Sequence, residues 1–597
     1  MAHLLRIPVP VLLAALLGSP AGAAEPAARK PNVLLVTIDT LRPDALGWVS
    51  GANETPVLDA LAKEGVRFRA AVAPVPLTGP SHAALLTGRL PRKLGVRLNG
   101  QPLPPGIATL AERLGGAGWE TAAFVSGFPL VGSLGLGRGF GRYDDSLPDG
   151  PDGRKERRAR ATAAAASAWI AGTKGPFFAW VHFYDAHAPY EPPPSFARPG
   201  PRGAYDGEVA YVDYHVGRLL AAAKARGDLL VVVAGDHGEG LDEHGERTHG
   251  FFVYDSTVLV PLVFSWPGRL VPAQPAASPR LLDVAPTLLS LLGLEPLPRI
   301  DGVDLVPLLS GRPQAVPPAY LESQLPWADY GFAPLAALRT GGWKVIQAPR
   351  PELYRLSDDP GESRNRVREP EHRKQLLSLK AALDGAEQEP EAEETAAVDS
   401  ETRERLRSLG YLSTTRPRGS PPPGLPDPKD KAALFGTYTR IEELEASGRL
   451  SEALGELTRA VAEDPRSRFG LSRLGVLLLR TGQTARAAEI LRQAVALDPE
   501  RGDLRFALAD ALTRSGRAAA ALPEWFEAAR LEPSRAEAWS NLGAALRAAG
   551  RQKDAVAAYR RAVELRPGEA VFRENLVLAL RAAGDEAGAR AVEAAGH

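Results

Sequence analysis

The chain contains no cysteine, one methionine, no net charge and no apolar run long enough to span a membrane. Without cysteine there can be no disulfide staples, no lipid anchor on a cysteine and no cysteine nucleophile. The balance of 71 basic and 71 acidic residues lacks the basic excess of nucleic-acid binders, so no nucleic-acid-binding surface is expected. The apolar run from Ile7 to Leu17 falls short of the roughly 20 residues that a spanning helix needs. No later stretch reads as transmembrane.

What is present is ordinary for folded protein: 44% hydrophobic and 24% charged residues. At 597 residues the chain exceeds one hydrophobic core, so two or more domains are expected. Arg6, the short apolar run and the small residues ending Ala21-Gly22-Ala23-Ala24 have the layout of a secretory signal peptide over residues 1–24, with an uncleaved N-terminal anchor as the alternative. Export to the periplasm or the extracellular space follows from that reading.

Over residues 30–383, apolar runs alternate with Ala/Leu-rich helical stretches. The runs at 32–38, 121–125, 177–183 and 229–234 predict an α/β domain, a mainly parallel sheet with helices on both faces. Residues 384–430 turn charged and then rich in proline, with Pro417, Pro421, Pro422, Pro423, Pro426 and Pro428, a semi-rigid linker. In residues 431–597 a repeat follows. Pro465, Pro499, Pro533 and Pro567 recur at 34-residue intervals, as do Gly448, Gly482, Gly516, Gly550 and Gly584. With Trp539, Leu542, Gly543, Ala555, Tyr559 and Ala562 this is the tetratricopeptide pattern, an all-α solenoid whose fifth, partial unit caps the array. Such arrays present a concave surface to a protein or peptide partner; a purely structural or dimerising role is the alternative.

Three predicted strands end in potential metal ligands. The first runs into Asp39, the second into Asp185 and His187, the third into Gly235-Asp236-His237-Gly238-Glu239. Sites in open α/β sheets form outside the carboxyl ends of parallel strands, so these groups can converge. Six of the ten histidines lie between His182 and His249. A fourth element, Pro76-Leu77-Thr78-Gly79-Pro80-Ser81-His82 through Thr87-Gly88, predicts a helix with Thr78 at or just before its N-terminus and Gly88 as its stop. The positive end of a helix favours an oxyanion. A threonine hydroxyl becomes a nucleophile when a dication activates it; otherwise Thr78 is a helix cap.

The segment at Thr78 resembles the sulfatase signature, in which a cysteine or serine opens a motif ending in a Thr-Gly helix stop. Asp39-Thr40-Leu41-Arg42-Pro43-Asp44, Asp236-His237-Gly238-Glu239, Leu282-Asp283-Val284-Ala285-Pro286-Thr287 and Glu352-Leu353-Tyr354-Arg355-Leu356, then Asp359-Pro360-Gly361-Glu362, follow in the family's order. The chain is thereby identified as similar to sulfatases of the alkaline phosphatase superfamily, which implies an ester hydrolase. Two departures bear on the reaction. A sulfatase converts its cysteine or serine to formylglycine, and Thr78 cannot become formylglycine. His82 stands in place of the motif arginine.

Both departures resemble the phosphoryl-transfer branch of the superfamily, with its threonine nucleophile between two metals. That resemblance implies one metal on Asp39, Thr78, Asp236 and His237 and a second on His187 and His249, with Asp185 as a third ligand. Oxygen and imidazole ligands suit Zn²⁺, with Mn²⁺ or Ca²⁺ as alternatives. His82 is expected either to contact substrate or to brace the loop. The function expected is hydrolysis of phosphate esters, diester or phosphonate-type favoured. Sulfate-ester hydrolysis without formylglycine, phosphoryl transfer to another acceptor, and an inactive domain on a tetratricopeptide scaffold are the alternatives. Loops 128–145 and 320–334 are expected to shape specificity. His182 is expected to be a packed strand residue, and Glu243 and His244 part of a solvated loop.

Overall fold

A computed structural model describes residues 30–51, 55–148, 156–388, 402 and 421–594. The expected signal peptide, much of the expected linker and the last three residues lie outside these. The first domain is built on a seven-stranded sheet of β1 (Asn32–Ile38), β2 (Val66–Val72), β3 (Glu120–Phe124), β4 (Arg142–Asp144), β5 (Phe177–Phe183), β6 (Leu229–Gly235) and β7 (Leu259–Ser265). The strand order is β2-β7-β6-β1-β5-β3-β4. β1 pairs in parallel with β5 and β6, and β3 in parallel with β5 and β4, whereas β7 is antiparallel to both β6 and β2. The three central strands are buried on both faces, which explains why they read as unbroken apolar runs rather than as alternation. Helices cover the sheet on each side, dividing its core into two clusters.

A second sheet, entirely antiparallel, contains β8 (Ala319–Ser323), β9 (Leu335–Thr340), β10 (Trp343–Gln347) and β11 (Glu352–Arg355) in the order β11-β10-β9-β8. The sequence reading did not contain this sheet, because its short strands lie among turns and mixed polar residues. The helix Arg373–Gln388 packs on it through Leu379 and Leu383.

The C-terminal array consists of five helix pairs, from Ala432–Ala446 with Leu450–Glu463 to Ala570–Ala582 with Glu586–Ala594. The glycine period has a backbone cause. Gly448, Gly482, Gly516, Gly550 and Gly584 join the two helices of each unit at φ between 75° and 80°, a conformation that costs a side-chain-bearing residue about 1 kcal/mol or more. Gly543 has a packing cause: a Cβ there would lie 3.0 Å from the Tyr559 ring. No helix among the described residues is long and apolar enough to cross a membrane.

Candidate active site and metal centre

Register brings the strand ends together. Ile38 is level with Phe183 on one side and Gly235 on the other, so Asp39 and Asp236 emerge side by side. The Asp39 amide donates to Phe183 O at 2.9 Å, and the Asp236 amide to Ile38 O at 3.3 Å. Thr40 follows at φ 53°, a left-handed conformation unusual for a β-branched residue. It is held there by its hydroxyl, which donates to Ala186 O at 2.6 Å, and by its amide on Asp236 Oδ1 at 3.2 Å. Strain of this kind persists where surrounding structure fixes it, often at functional sites.

The helix Thr78–Thr87 points its first turn at these carboxylates and ends as predicted, with Gly88 left-handed at φ 68°. Ser81 ties it down by donating to Asp236 O at 2.5 Å. Thr78, 1% exposed, donates through Oγ1 to Asp39 Oδ2 at 3.3 Å and lies 3.3 Å from His237 Nε2. A helix cap would aim its oxygen at its own backbone; no such bond is made by the residue preceding the helix or by Thr78.

Asp39, Asp236 and His237 converge closely enough to hold one metal ion. His237 Nε2 lies 3.7 Å from Asp39 Oδ1 and 3.6 Å from Asp236 Oδ2. Its Nδ1 faces the carbonyl of Gly238 at 3.0 Å, an acceptor only, so Nδ1–H donates and Nε2 is left facing two carboxylates, where it can take a proton or a cation. The same device recurs twice. His187 Nδ1 donates to Ala188 O at 2.7 Å, and His249 Nδ1 to Glu239 Oε1 at 3.1 Å, leaving each Nε2 free to ligate. The His249 ring lies 4.3 Å from that of His237 and 5.1 Å from that of His187. Asp39, Asp236 and His237 are fully buried, whereas His187 and His249 are half-buried, so the cluster opens on their side.

The electrostatics ask for a cation. Burial raises the Asp39 and Asp236 carboxyls above the ordinary range, and the two acids reinforce each other at Asp236. Burial pushes Glu239 up to about 7, even against the pull of His187. Burial opposes charge on His237, but Asp236 and Asp39 outweigh it and raise its pKa. Burial takes His187 down to about 4 and His249 well below its usual value. Asp39 Oδ1, Asp236 Oδ2 and Glu239 Oε2 are buried without a hydrogen-bond partner among the described residues, a costly state that a bound dication would relieve. The donor set of carboxylate oxygen, hydroxyl and imidazole fits Zn²⁺.

Two of the expected site residues sit differently from the rest. Asp185 does not join the cluster: its Oδ2 accepts from the Ala159 amide at 2.7 Å and its Oδ1 pairs with Arg158 at 3.0 Å. The carboxylate beside His249 is Glu239, the residue that closes the Asp236-His237-Gly238 motif. His82 is buried with both ring nitrogens engaged, donating to Thr78 O at 2.8 Å and meeting Thr37 Oγ1 at 2.9 Å, the bracing arrangement. His182 is packed within β5 as expected, but its Nε2 also stands 3.5 Å from Asp39 Oδ2. His244 stacks on Tyr254 at 3.7 Å and Glu243 pairs with Arg42 at 2.7 Å, so neither is merely solvated.

Asn99 is a residue that the sequence alone did not expose. Its Oδ1 accepts from the Gly79 amide at 2.8 Å, which ties Asn99 to the first turn of the Thr78 helix. Only the fold brings this isolated asparagine to the helix. Of the two loops expected to shape specificity, 128–145 passes the site, with Pro129 O 3.6 Å from where a Gly79 Cβ would lie. In the other, Leu325 and Ala328 pack on Leu77 and Leu98 beside the Thr78 helix, while Tyr330, at the end of the turn Pro326–Tyr330, stacks on Phe469 of the C-terminal array.

Comparison with known proteins agrees with this geometry. The sulfatase family pattern matches residues 31–294, and the C-terminal pattern of N-sulphoglucosamine sulphohydrolase matches 243–389. Tetratricopeptide patterns match 472–532 and 536–569. Human arylsulfatase A is 30% identical over 459 residues, covering 60% of this chain and 89% of that protein. Mouse steryl-sulfatase is 28% identical over 541 residues, covering 64% and 85%. Among solved structures, the phosphonate monoester hydrolase of Agrobacterium radiobacter shares the fold at a TM-score of 0.50 and 24% identity, over 59% of this chain and 96% of that one. With human arylsulfatase A matched at 30% identity over 89% of its length, the chain belongs to the sulfatase family of ester-bond hydrolases, and it carries a tetratricopeptide array at its C-terminus.

Proposed function

We propose that the protein hydrolyses phosphate esters, diesters or phosphonate-type esters in particular, with Thr78 as the nucleophile and two divalent cations, Zn²⁺ first among them. The observation that carries this is the place of Thr78: its hydroxyl stands 3.3 Å from both Asp39 and His237 at the start of a helix, where formylglycine chemistry is closed to it. Asp39, Asp236, His237 and the Thr78 oxygen would hold one cation; His187 and His249, with Glu239 behind, would hold the other. Bound there, a dication lowers the pKa of a hydroxyl and neutralises charge on the anionic ester.

The chain's own groups do the rest. Thr78 Oγ1 gives its proton toward Asp39 and attacks phosphorus, forming a P–O bond as the ester P–O bond breaks and the alkoxide leaves, taking a proton from water to depart as the alcohol. The amide group of Asn99 offers donors to a non-bridging oxygen where negative charge develops. His82 holds the first helical turn through Thr78 O and so keeps the nucleophile aimed. Water then cleaves the phosphothreonine and restores the hydroxyl. The N-terminal residues 1–24 support an exported site of action.

The test is turnover of nitrophenyl phosphate, phosphate diester, phosphonate and sulfate esters by zinc-reconstituted protein beside Thr78→Ala. We expect phosphorus esters to turn over, sulfate to lag, Thr78→Ala to lose roughly 10³-fold or more, and an acid-quenched digest to contain phosphorylated Thr78. A preference for sulfate, or full activity in Thr78→Ala, would sink the reading.

A further inference from the structure

The hydrolase meets the array through aromatic residues. The turn Pro326–Tyr330 ends at Gly331, left-handed at φ 75°. Tyr330 stacks on Phe469 of the second unit with ring centroids 4.7 Å apart at 21°, and faces Tyr438 of the first unit at 5.9 Å. Phe251 stacks on Phe435, also of the first unit, at 4.4 Å and 15°. The approach is close enough that a Cβ on Gly331 would lie 3.1 Å from Arg468 Cδ. Asp329 is buried in the same contact, where burial raises its carboxyl to about 7 against the pull of Arg501 at the head of the third unit.

The repeat register shows that this surface is particular to the first two units. Phe435 and Phe469 occupy equivalent positions; the next three units carry Asp503, Glu537 and Val571 there. The aromatic platform exists only where the hydrolase sits on it. Phe251 is also two residues from His249. Between them, Gly250 accepts from Ser323 Oγ at 2.5 Å, and a Cβ on it would lie 3.0 Å from Leu325 and 3.1 Å from Leu77, the residue before Thr78. On the loop's outer side, Arg247 pairs with Glu443 of the first unit at 3.1 Å.

We propose that the first two tetratricopeptide units are a docking surface whose partner is this chain's own hydrolase domain, and that they hold loop 243–252 so that His249 stays in register for catalysis. Any separate protein partner is then left to the later units. The inference rests on ester hydrolysis at the His249 site and not on which ester is cleaved, so it is measured with whichever nitrophenyl ester the unaltered chain turns over fastest.

The test compares Tyr330→Ala, Tyr330→Phe, Glu443→Lys and the charge-swapped pair Arg247→Glu/Glu443→Lys in the full chain, reading kcat, KM and hydrogen exchange at 243–252. Tyr330→Ala is expected to speed exchange in the loop and lower kcat roughly 10-fold to 100-fold, the effect of misplacing a site group by about 1 Å. Tyr330→Phe, which keeps the stacked ring, restores both. Glu443→Lys, on a partly exposed ion pair that cannot unfold the domain, lowers kcat in the same sense, and the charge swap recovers it. Leu578→Ala in the last unit leaves kcat unchanged. Unaltered kcat in both Tyr330→Ala and Glu443→Lys overturns the proposal, and so does faster loop exchange with kcat intact.

Discussion

The two ends of this chain treat charge in opposite ways. In the array, charges stand outside as pairs one helical turn apart, such as Arg449–Glu452, Arg551–Asp554 and Arg561–Glu564, each side chain about half exposed or more. Pairs of that kind are screened by solvent, add little individually and keep the helices soluble. At the strand ends of the hydrolase, Asp39, Asp236 and Glu239 are fully buried, each with an oxygen that no described residue hydrogen-bonds. Burial of that kind opposes folding unless a cation is bound. The array is organised for stability by local pairs; the buried acids of the hydrolase domain give up stability for a cluster able to hold a cation.

That contrast can be broken most severely at the centre. Asp236→Asn is expected to lower metal affinity by more than about 100-fold, beyond the loss typical of an outer-shell change, with turnover falling in step. Asp185→Asn, which disturbs only the Arg158 pair, should leave metal content unchanged. Metal analysis after dialysis separates the two, and equal losses would put Asp185 back among the ligands. Next in size, Asn99→Ala should cost roughly 10²-fold to 10³-fold in kcat with metal content intact, as loss of one oxyanion donor does; a change confined to KM would remove it from the transition state.

Acidity sharpens the comparison further. Glu239 is raised by burial from 4.5 to about 7, so its contribution to the stability of metal-free protein is present below pH 4.5 and lost as pH rises through about 7. His237, also raised, competes with a cation through its proton at low pH. Both effects make the melting-temperature gain on adding Zn²⁺ larger at pH 8 than at pH 6, which calorimetry at the two values can check. A gain independent of pH would mean that these groups do not meet the metal. The smallest effect on catalysis belongs to the far array. Tyr559→Ala empties the contact over Gly543 and should cost about 3–5 kcal/mol of local stability, seen as faster exchange in the fourth unit, with kcat unchanged.

The array was legible almost to the residue because its rules are local. A glycine at positive φ between helices and a proline after each pair recur every 34 residues, and each unit packs on its neighbour. The central strands were legible for the same reason: buried on both faces, they are continuous apolar runs. The β8–β11 sheet was not, since its strands are short and gain their burial only by pairing with one another. In the site, Asp39, Asp236, His237 and Thr78 lie in strong local motifs at strand and helix ends. Glu239 lay within a motif yet had no visible role until the fold set it against His249. Asp185 is the reverse case, well placed by its strand but taken by Arg158 from a neighbouring helix.

Sequence alone determined the two-part organisation, the period of the array, the parallel sheet and the strand and helix ends that meet in the acid–histidine cluster, because each depends on residues near one another in the chain. Tertiary structure decided what depends on partners far apart in sequence. It set which carboxylate backs His249, turned His82 into a brace, brought Asn99 to the first turn of the Thr78 helix and seated Tyr330 on the array. Those contacts join segments separated by loops of many residues, and only packing of the whole chain fixes which of them meet.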